Sequence, residues 1–274
     1  MTTELTQLNI NYPPNFEVRY GHGKPLAKHI ERIFQHRLEF QLKFIETIAS
    51  YTKNYLKIPL KSTDVLLPEW VNDFFPPLDA MSLYSMIASR KTNRYLEIGS
   101  GNSTKFARLA IQDHNLSTQI TSIDPHPRAE IDEISDIIIR SPLESIDLSV
   151  FSELTKNDIV FFDGSHRCFQ NSDVTVFFTD VIPELPTEIT IGIHDIFWPS
   201  DYPAHWINRY YNEQYVLGAY MLGAGLDFPL IFGCNFIGKN YSDVLPNSLS
   251  SEFVEYLFNA KLWLGGGCLW FNKP

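Results

Sequence analysis

The chain has 274 residues, of which 44% are hydrophobic and 14% are aromatic, and its formal net charge at pH 7 is -10. This much apolar sequence is ample for a packed core and excludes wholesale disorder. The acidic balance argues against binding to a phosphate backbone, so we expect no nucleic-acid partner. No apolar run reaches the ~18 residues that a membrane-spanning helix needs, and the three cysteines are far apart. We therefore expect a reduced protein of the cytoplasm.

The first 75 residues predict an extension in front of a larger domain. Residues 1–25 are rich in turn-forming residues and predict an irregular arm. The apolar spacing over 27–51 predicts an amphipathic helix, although Gln41 interrupts its apolar stripe. Such a stripe packs either on the core or on a second copy of the chain, so a homodimer is one expectation. We divide the chain into an N-terminal arm and helical cap, residues 1–75, and a main domain, residues 76–274.

In the main domain strand and helix signals alternate, which is typical of right-handed βαβ units and of a mostly parallel sheet. The predicted strands lie near 94–99, 119–124, 136–141, 158–163 and 188–195. The predicted helices lie near 78–89, 102–113, 126–134, 144–154, 168–182 and 204–222. The chain then ends with a predicted strand over 228–237, a helix over 249–264 and a last strand over 265–271. The pattern predicts an α/β, Rossmann-like, doubly wound fold.

The run 94–104 joins the first of these strands to a helix through a Gly-Ser-Gly turn, after which Asn102 or Ser103 is a suitable N-cap. Glycine allows a sharp turn and a close approach of the backbone to a ligand, and the free N–H groups of the helix N-terminus would face that ligand. Asp124 ends the second strand, where a carboxylate can bind both hydroxyls of a ribose. These features predict a nucleoside pocket at the C-terminal ends of parallel strands.

The dinucleotide-binding fingerprint is G-x-G-x-x-G, and the Gly-Ser-Gly turn lacks its third glycine because Thr104 stands in that place. The chain instead resembles the class I S-adenosylmethionine-dependent methyltransferases. The segments that carry this resemblance are YLEIGSGNS at 95–103, ID at 123–124, DIVFFDGSH at 158–166 and IGIHD at 191–195. Asn212-Glu-Gln-Tyr215 and the terminal Gly-Gly-Gly-Cys-Leu-Trp are similar to one branch, methyltransferase family 24. That branch is associated with O-methylation of sugars, polysaccharides and macrolides, and the resemblance covers roughly residues 76–272.

The resemblance implies a seven-stranded sheet with an antiparallel last strand, and S-adenosylmethionine as the cofactor. The cofactor contacts that it implies are Glu97, Gly99, Gly101, Asn102 and Ser103 at the methionine part, Asp124 and His126 at the ribose, Ser141 and Leu143 at the adenine, and Asp163 near the transferable methyl group.

Methyl transfer to a hydroxyl requires alignment of the acceptor and removal of its proton. His166 is the candidate general base, since an imidazole titrates near neutral pH, and Asp163 and Asp195 are the other candidate catalytic residues. The alternative is a divalent metal such as Mg²⁺, held by Asp163, His194 and Asp195. His194 departs from the oxygen ligands that Mg²⁺ prefers.

Side chains after the fifth strand are candidate contacts to the acceptor: His194, Trp198, Tyr202 and His205. Aromatic faces pack well on the apolar side of a sugar ring, although the same side chains could fill the core of their own loop. The sequence thus predicts an O-methyltransferase that acts on a sugar, glycan or other small-molecule hydroxyl, with a role in polysaccharide biosynthesis. The alternatives are a non-catalytic nucleoside-binding or regulatory module and an NAD-dependent oxidoreductase.

Overall fold

The computed structural model describes residues 17–274 and places a seven-stranded sheet at the centre of them. The strands are β1 (Arg94–Ile98), β2 (Gln119–Ile123), β3 (Ile137–Ile139), β4 (Ile159–Phe162), β5 (Thr190–Ile193), β6 (Leu230–Gly233) and β7 (Leu269–Asn272). Their order is β3-β2-β1-β4-β5-β7-β6. The pairs among β1 to β5 are parallel, and β7 runs antiparallel to both β5 and β6. The predicted α/β, Rossmann-like sheet with an antiparallel last strand is confirmed.

Helices and short helical turns connect these strands. The α-helices are α1 (Lys28–His36), α2 (Leu38–Ser50), α3 (Thr52–Tyr55), α4 (Pro77–Arg90), α5 (Asn102–Asp113), α6 (Asp173–Val176), α7 (Ile182–Glu184), α8 (Glu213–Ala224), α9 (Cys234–Asn240), α10 (Val244–Ser248) and α11 (Ser251–Asn259). A π-helical turn, Phe177–Val181, joins α6 to α7. The 3-10 turns are Leu143–Ser145, Leu148–Phe151, Ala204–Arg209 and Gly225–Asp227.

The central strands β4 and β5 are buried at every position. Continuous apolar runs of this kind are typical of parallel strands that are covered on both faces. Because the carboxyl ends of β1 and β4 are adjacent, the loops that follow these two strands meet at one edge of the sheet. This edge holds the residues on which the functional prediction depends.

The helix predicted over 27–51 is in fact two helices, because the backbone leaves helical geometry at Arg37. The Arg37 side chain donates to the carbonyl of Leu230 in β6. Gln41 is completely buried, and its side-chain amide donates to the carbonyl of Phe34 and accepts from the N–H of Gly233. The polar residue in the apolar stripe therefore satisfies backbone groups between the helices and the sheet edge. The part of the predicted arm that precedes residue 17 lies outside the described residues.

Two predicted helices are wrong. The segment 126–134 contains turns and bends, and 144–154 contains only short 3-10 turns. Pro125 and Pro127 remove backbone donors at the start of the first segment. The segment after β2 instead lines a cavity.

Four other predicted elements have different bounds. The helix predicted over 204–222 is interrupted at Tyr210, whose φ of 55° is left-handed, and α8 begins only at residue 213. The strand predicted over 228–237 ends at Gly233, where a side chain would strike the ring of Phe34. The strand predicted from 265 begins only at Leu269, since the N–H groups of Gly267 and Cys268 bind a side chain of α4 rather than a strand. The helix predicted over 249–264 corresponds to the shorter α11.

Candidate active site

A cavity of about 900 Å³ lies at the carboxyl ends of β1, β2 and β4. Its lining includes most of the predicted cofactor residues: Gly99, Gly101, Asn102, Ser103, Asp124, His126, Leu143 and Asp163. Two predicted cofactor residues, Glu97 and Ser141, do not belong to the lining. The volume lies at the upper end of the range of about 300 to 1,000 Å³ that is usual for small-molecule sites.

The turn after β1 passes very close to the end of β4. Gly99 has a φ of 78°, and a Cβ at this position would lie 1.9 Å from the carbonyl oxygen of Asp163. The N–H of Asp163 donates to the carbonyl of Ile98 at 2.8 Å. Only glycine fits this turn, and its presence brings the glycine loop and Asp163 to the same wall of the cavity.

Asp124 is half-buried and holds the glycine loop by hydrogen bonds. One carboxylate oxygen accepts from the N–H of Ser100 at 2.7 Å and from its hydroxyl at 3.2 Å. The other accepts from the N–H of His126 at 2.7 Å. Each oxygen can accept two hydrogen bonds, so the carboxylate can still accept from a ligand in the cavity.

The helix N-terminus after the glycine loop differs in detail from the prediction. The N-cap of α5 is Gly101, rather than Asn102 or Ser103, and its N–H donates to the hydroxyl of Thr104 at 3.0 Å. Thr104 in turn donates to the carboxylate of Glu97. Thr104, which replaces the third glycine of a dinucleotide site, thus links the glycine loop to Glu97 by hydrogen bonds.

Glu97 lies behind the cavity wall rather than in it. Its carboxylate is fully buried and accepts from four hydroxyl groups: those of Tyr95, Ser103, Thr104 and Ser122. Burial raises the pKa of Glu97 to about 7, although the four hydroxyls favour its charged form. Glu97 is placed to fix the glycine loop and not to contact a ligand directly.

Two histidines and two aspartates form a closed set, which we term the histidine–carboxylate ring: Asp163, His166, Asp195 and His194. Nε2 of His166 lies 3.3 Å from Oδ1 of Asp163 and 3.5 Å from Oδ2 of Asp195. Nδ1 of His194 lies 3.3 Å from the same Asp163 oxygen and 3.7 Å from Oδ1 of Asp195. Asp163 also belongs to the cavity lining, whereas the other three members do not. The structure therefore brings together all the predicted catalytic and metal-binding residues.

The charges in the ring depend on one another. Burial opposes the charged imidazoles, but hydrogen bonds and charges of the surrounding carboxylates outweigh it and hold the pKa values of His166 and His194 well above the usual range. The two histidines in turn lower the pKa of Asp163 against the effect of its burial. Burial raises the pKa of Asp195. Our expectation that His166 titrates near neutral pH is thus wrong for this structure, because three carboxylates face its ring.

The predicted acceptor contacts fall into two groups. Trp198 and Tyr202 are buried, and the Trp198 ring packs against Tyr215 and the backbone of Gly218. His205, in contrast, is exposed on the 3-10 turn Ala204–Arg209. Asp201 accepts from the N–H groups of residues 19 and 20, so these two residues lie against this loop. The buried aromatic side chains of this loop therefore pack within the protein and are not available to an acceptor.

Several residues of the site were missed by the sequence analysis. Residues 62–75, which we term the N-terminal segment, supply part of the cavity lining, including Phe74 and Phe75. The Phe75 ring lies 5.2 Å from that of His194. Asp79 and Glu213 bind the outer nitrogens of the two histidines, as described below. Asn212-Glu-Gln-Tyr215 was noted only as a shared motif, and no local signal distinguishes Asp79.

A further group of potential metal ligands occurs beneath the ring. Within residues 17–274, Asp79, His194 and Cys268 place one ligand atom each within 4.8 Å of one another. Both oxygens of Asp79 already accept backbone N–H groups at 2.7 Å. Burial raises the pKa of the Cys268 thiol well above its usual value, which disfavours the thiolate that metals bind. We interpret this group as a buried hydrogen-bond network.

The fold is an α/β domain with a cavity at the carboxyl ends of its parallel strands. Residues 96–196 match the model of a methyltransferase domain, methyltransferase family 24. Over these residues the predicted resemblance to the class I S-adenosylmethionine-dependent methyltransferases is confirmed.

Two individual proteins are also similar to the chain. It is 31% identical over 129 residues to an uncharacterized protein of Archaeoglobus fulgidus, in a match that covers 44% of this chain and 58% of the archaeal protein. The SAH-bound methyltransferase PaMTH1 of Podospora anserina is 16% identical with a TM-score of 0.36, covering 53% of this chain and 67% of that one. Among the helices of residues 17–274, none has the length and apolar character needed to cross a membrane.

Proposed function

We propose that this protein transfers a methyl group from S-adenosylmethionine to a hydroxyl of a sugar, glycan or other small molecule. The observation that carries the proposal is the continuity of one cavity from the glycine loop and Asp124 to Asp163. The part of the cavity that would hold the cofactor is thus continuous with the part lined by Asp163, a member of the histidine–carboxylate ring. The match of residues 96–196 to a methyltransferase domain supports the same activity.

The residues present fit the proposed cofactor. Asp124 has acceptor capacity for ribose hydroxyls, and Leu143 offers an apolar wall for the adenine. The glycine loop can approach a ligand closely, since a Cβ at Gly101 would meet no atom within 4 Å. When bound, the cofactor supplies an electrophilic methyl group on a sulfonium. The protein's own contribution is to align the acceptor and to receive its proton.

For the proton we propose the histidine–carboxylate ring as the acceptor: Asp163 faces the acceptor hydroxyl, and Asp195, whose pKa is raised by burial, is the member that retains the proton. Asp163 is the member of the ring that lines the cavity, and its side chain is 30% exposed, against 5% for His166. His166 in its charged form cannot act as a base by itself, so its role becomes electrostatic: it and His194 stabilise the carboxylates around them. Strongly interacting groups of this kind gain and lose protons as a unit.

The predicted Mg²⁺ site does not fit these residues. Mg²⁺ prefers near-octahedral oxygen ligands, whereas Asp163 and Asp195 each face two imidazole nitrogens at 3.3 to 3.7 Å. The imidazoles already provide positive charge to both carboxylates. We therefore derive no step through Mg²⁺ and expect methyl transfer to survive chelation. Activity lost to a chelator and restored by Mn²⁺ or Zn²⁺, but not by Mg²⁺, would instead reassign the histidines as ligands.

For the acceptor we propose a platform different from the predicted one. Tyr211 is half-exposed, and its ring lies 4.5 Å from that of His166. Trp206 is also half-exposed, with the guanidinium of Arg209 3.9 Å above its ring. Both residues are partly exposed beside the histidine–carboxylate ring, unlike Trp198 and Tyr202, which are buried. The glycan class of acceptor, the homodimer and the cytoplasmic location remain predictions from the sequence.

A non-catalytic nucleoside-binding module is the second candidate. The observation that favours it is the depth of the histidine–carboxylate ring, since His166 is only 4% exposed and is absent from the cavity lining. In such a protein the cavity would bind the cofactor without turnover. An NAD-dependent oxidoreductase has no comparable support, because Thr104 is engaged with Glu97 where the fingerprint has a glycine.

The test is calorimetric titration of the whole protein with S-adenosylmethionine and, separately, with NAD. It is followed by an assay for release of S-adenosylhomocysteine with free monosaccharides, nucleotide sugars and catechol, with and without a chelator. Binding of the methyl donor together with turnover supports the proposal. Binding without turnover on any of these acceptors favours the binding module, and binding of NAD alone contradicts both.

A further inference from the structure

Both histidines of the histidine–carboxylate ring are held from outside by a buried carboxylate. Nδ1–H of His166 donates to Oε2 of Glu213 at 2.9 Å, and Nε2–H of His194 donates to Oδ2 of Asp79 at 3.2 Å. Each imidazole therefore turns one nitrogen toward the ring and the other toward a carboxylate that is 0% exposed. Neither carboxylate lies within the segment that matches the methyltransferase domain, residues 96–196.

Glu213 is fixed to the loop of His166 by backbone as well as side chain. The N–H groups of Asn212 and Glu213 both donate to the carbonyl oxygen of His166, at 3.0 and 3.3 Å. Asn212 additionally accepts from the N–H of Cys168. His166 itself has a φ of 60°, a left-handed conformation that is costly for a non-glycine residue. The start of α8 thus holds a strained loop in one conformation and presents Glu213 to its imidazole.

Glu213 has one carboxylate oxygen to spare. Oε1 is buried and has no hydrogen-bond partner among the described residues. Burying a carboxylate that is only half satisfied is expensive, so the hydrogen bond to His166 has to offset part of that cost. A glutamate whose role was only structural could be replaced by a glutamine or an apolar side chain at less cost. The unpartnered oxygen points to a role that depends on the imidazole.

Asp79 differs from Glu213 because both of its oxygens accept hydrogen bonds. Its two oxygens accept from the N–H groups of Gly267 and Cys268, in addition to His194. A Cβ at Gly266 would lie 2.1 Å from the carboxylate, so the glycine turn wraps directly around it. Asp79 therefore combines anchoring of the turn before β7 with the clamp on His194.

From this geometry we propose that Glu213 and Asp79 are positioning residues, which fix the two imidazoles with Nε2 of His166 and Nδ1 of His194 directed at Asp163 and Asp195. An imidazole without such a partner can rotate about its Cβ–Cγ bond. This rotation places a ring carbon where the reactive nitrogen would be. A carboxylate on the outer nitrogen fixes the orientation of the imidazole. The consequence for turnover rests on the proposed function, whereas the consequence for ring orientation does not.

The variant for the test is Glu213→Gln in the full chain. Glutamine has nearly the same size as glutamate and keeps one acceptor oxygen, but it has no negative charge. Asp79→Asn is unsuitable as the main test, since its amide would face two backbone donors and could disrupt folding. Glu188→Gln is the matched control: Glu188 is exposed at the opposite end of the sheet, next to Lys156. Circular dichroism of each variant establishes that it is folded.

The first measurement is the ¹⁵N spectrum of histidine-labelled protein, with the His166 signals assigned from their loss in His166→Gln. The proposal expects the two ring nitrogens of His166 to change shift in Glu213→Gln and to stay unchanged in Glu188→Gln. The second measurement is the kinetics of methyl transfer with the acceptor that gives turnover in the assay above. Here we expect kcat to fall about 10- to 100-fold, while KM for S-adenosylmethionine is unchanged.

His166 signals that do not move in Glu213→Gln overturn the proposal, whatever the activity. Signals that move while kcat remains at the wild-type value overturn the role of Glu213 in the reaction. Absence of turnover in the wild-type protein contradicts the proposed function, and the spectrum alone then decides whether the clamp exists.

Discussion

Two carboxylates on neighbouring strands, the fully buried Glu97 of β1 and the partly exposed Asp163 after β4, have opposite electrostatic properties. Glu97 is surrounded by neutral hydroxyl donors, and its pKa is raised to about 7. Asp163 faces two histidines, and its pKa is lowered below the usual range despite burial. The charged partners of Asp163 keep it ionised at the cavity, whereas the neutral partners of Glu97 leave the effect of burial dominant. Glu97 holds the glycine loop, and Asp163 presents a charged carboxylate to the cavity.

The largest expected effect follows from removing the charged partner of Asp163. His166→Ala leaves three carboxylates facing an empty space, so we expect kcat to fall at least about 100-fold. Breaking a buried ion pair from one side also lowers the free energy of unfolding by about 3 kcal/mol. Calorimetry should show unchanged affinity for S-adenosylmethionine, because His166 does not line the cavity. His205→Ala, at an exposed position, is the control. Unchanged turnover in His166→Ala would remove the ring from the mechanism.

The neutral environment of Glu97 predicts a dependence of stability on pH. Because its folded-state pKa of about 7 lies above the ordinary value of 4.5, the folded protein binds this proton more tightly than the unfolded chain. The stabilising contribution is complete below pH 4.5 and is lost as the pH rises to about 7. In Glu97→Gln this loss should disappear, so between pH 5 and pH 8 the variant should lose about 2 kcal/mol less unfolding free energy than the wild type.

Urea denaturation at the two pH values measures that difference directly. A constant offset between the proteins is expected as well, because the glutamine amide meets four hydroxyl donors. Only the change with pH tests the assignment. Parallel stability curves for wild type and Glu97→Gln would show that Glu97 is ionised throughout this range.

The sequence was sufficient to predict the sheet and the cofactor end of the cavity because their signals are local. Apolar runs identify β1, β2, β4 and β5, and the glycine turn follows β1 directly. The clamps could not be predicted in this way, since Asp79 lies 115 residues from His194 and Glu213 lies 47 residues from His166. Nothing near either carboxylate in the chain indicates its partner.

The predicted contacts to the acceptor also depended on residues that are distant in the sequence. Trp198 and Tyr202 are aromatic residues at the correct end of the sheet, which made them candidates for a platform. Their burial depends on residues 19 and 20, whose backbone binds Asp201 some 180 residues later in the chain. Tyr211 lies within the helix predicted over 204–222, yet its ring contacts that of His166 because α8 begins only at residue 213. Element boundaries decided which aromatic residue is accessible.

Asp124 provides an intermediate case, a half-buried carboxylate whose partners are backbone N–H groups. Asp124→Asn keeps an oxygen for the N–H of Ser100 and removes the charge that would bind ribose hydroxyls. Loss of a charge-assisted hydrogen bond of about 1.5 kcal/mol corresponds to roughly tenfold weaker binding of S-adenosylmethionine. Calorimetry measures the affinity, with Asp136→Asn as a control outside the cavity lining. Equal affinities would place the ribose elsewhere.

The smallest expected effect follows from removing one of the four hydroxyl groups that donate to Glu97. Tyr95→Phe removes the donor that lies 3.0 Å from Oε2 of Glu97 and leaves three others. At pH 8, where Glu97 is mostly ionised, we expect the free energy of unfolding to fall by about 1 kcal/mol. At pH 5 the carboxyl is protonated in the folded protein, so it needs fewer donors and the difference should shrink. Denaturation curves at both pH values measure this, with Tyr241→Phe, whose hydroxyl contacts Gln35 at the surface, as the control. An effect of equal size at both pH values would mean that Tyr95 contributes packing rather than stabilisation of the charge on Glu97.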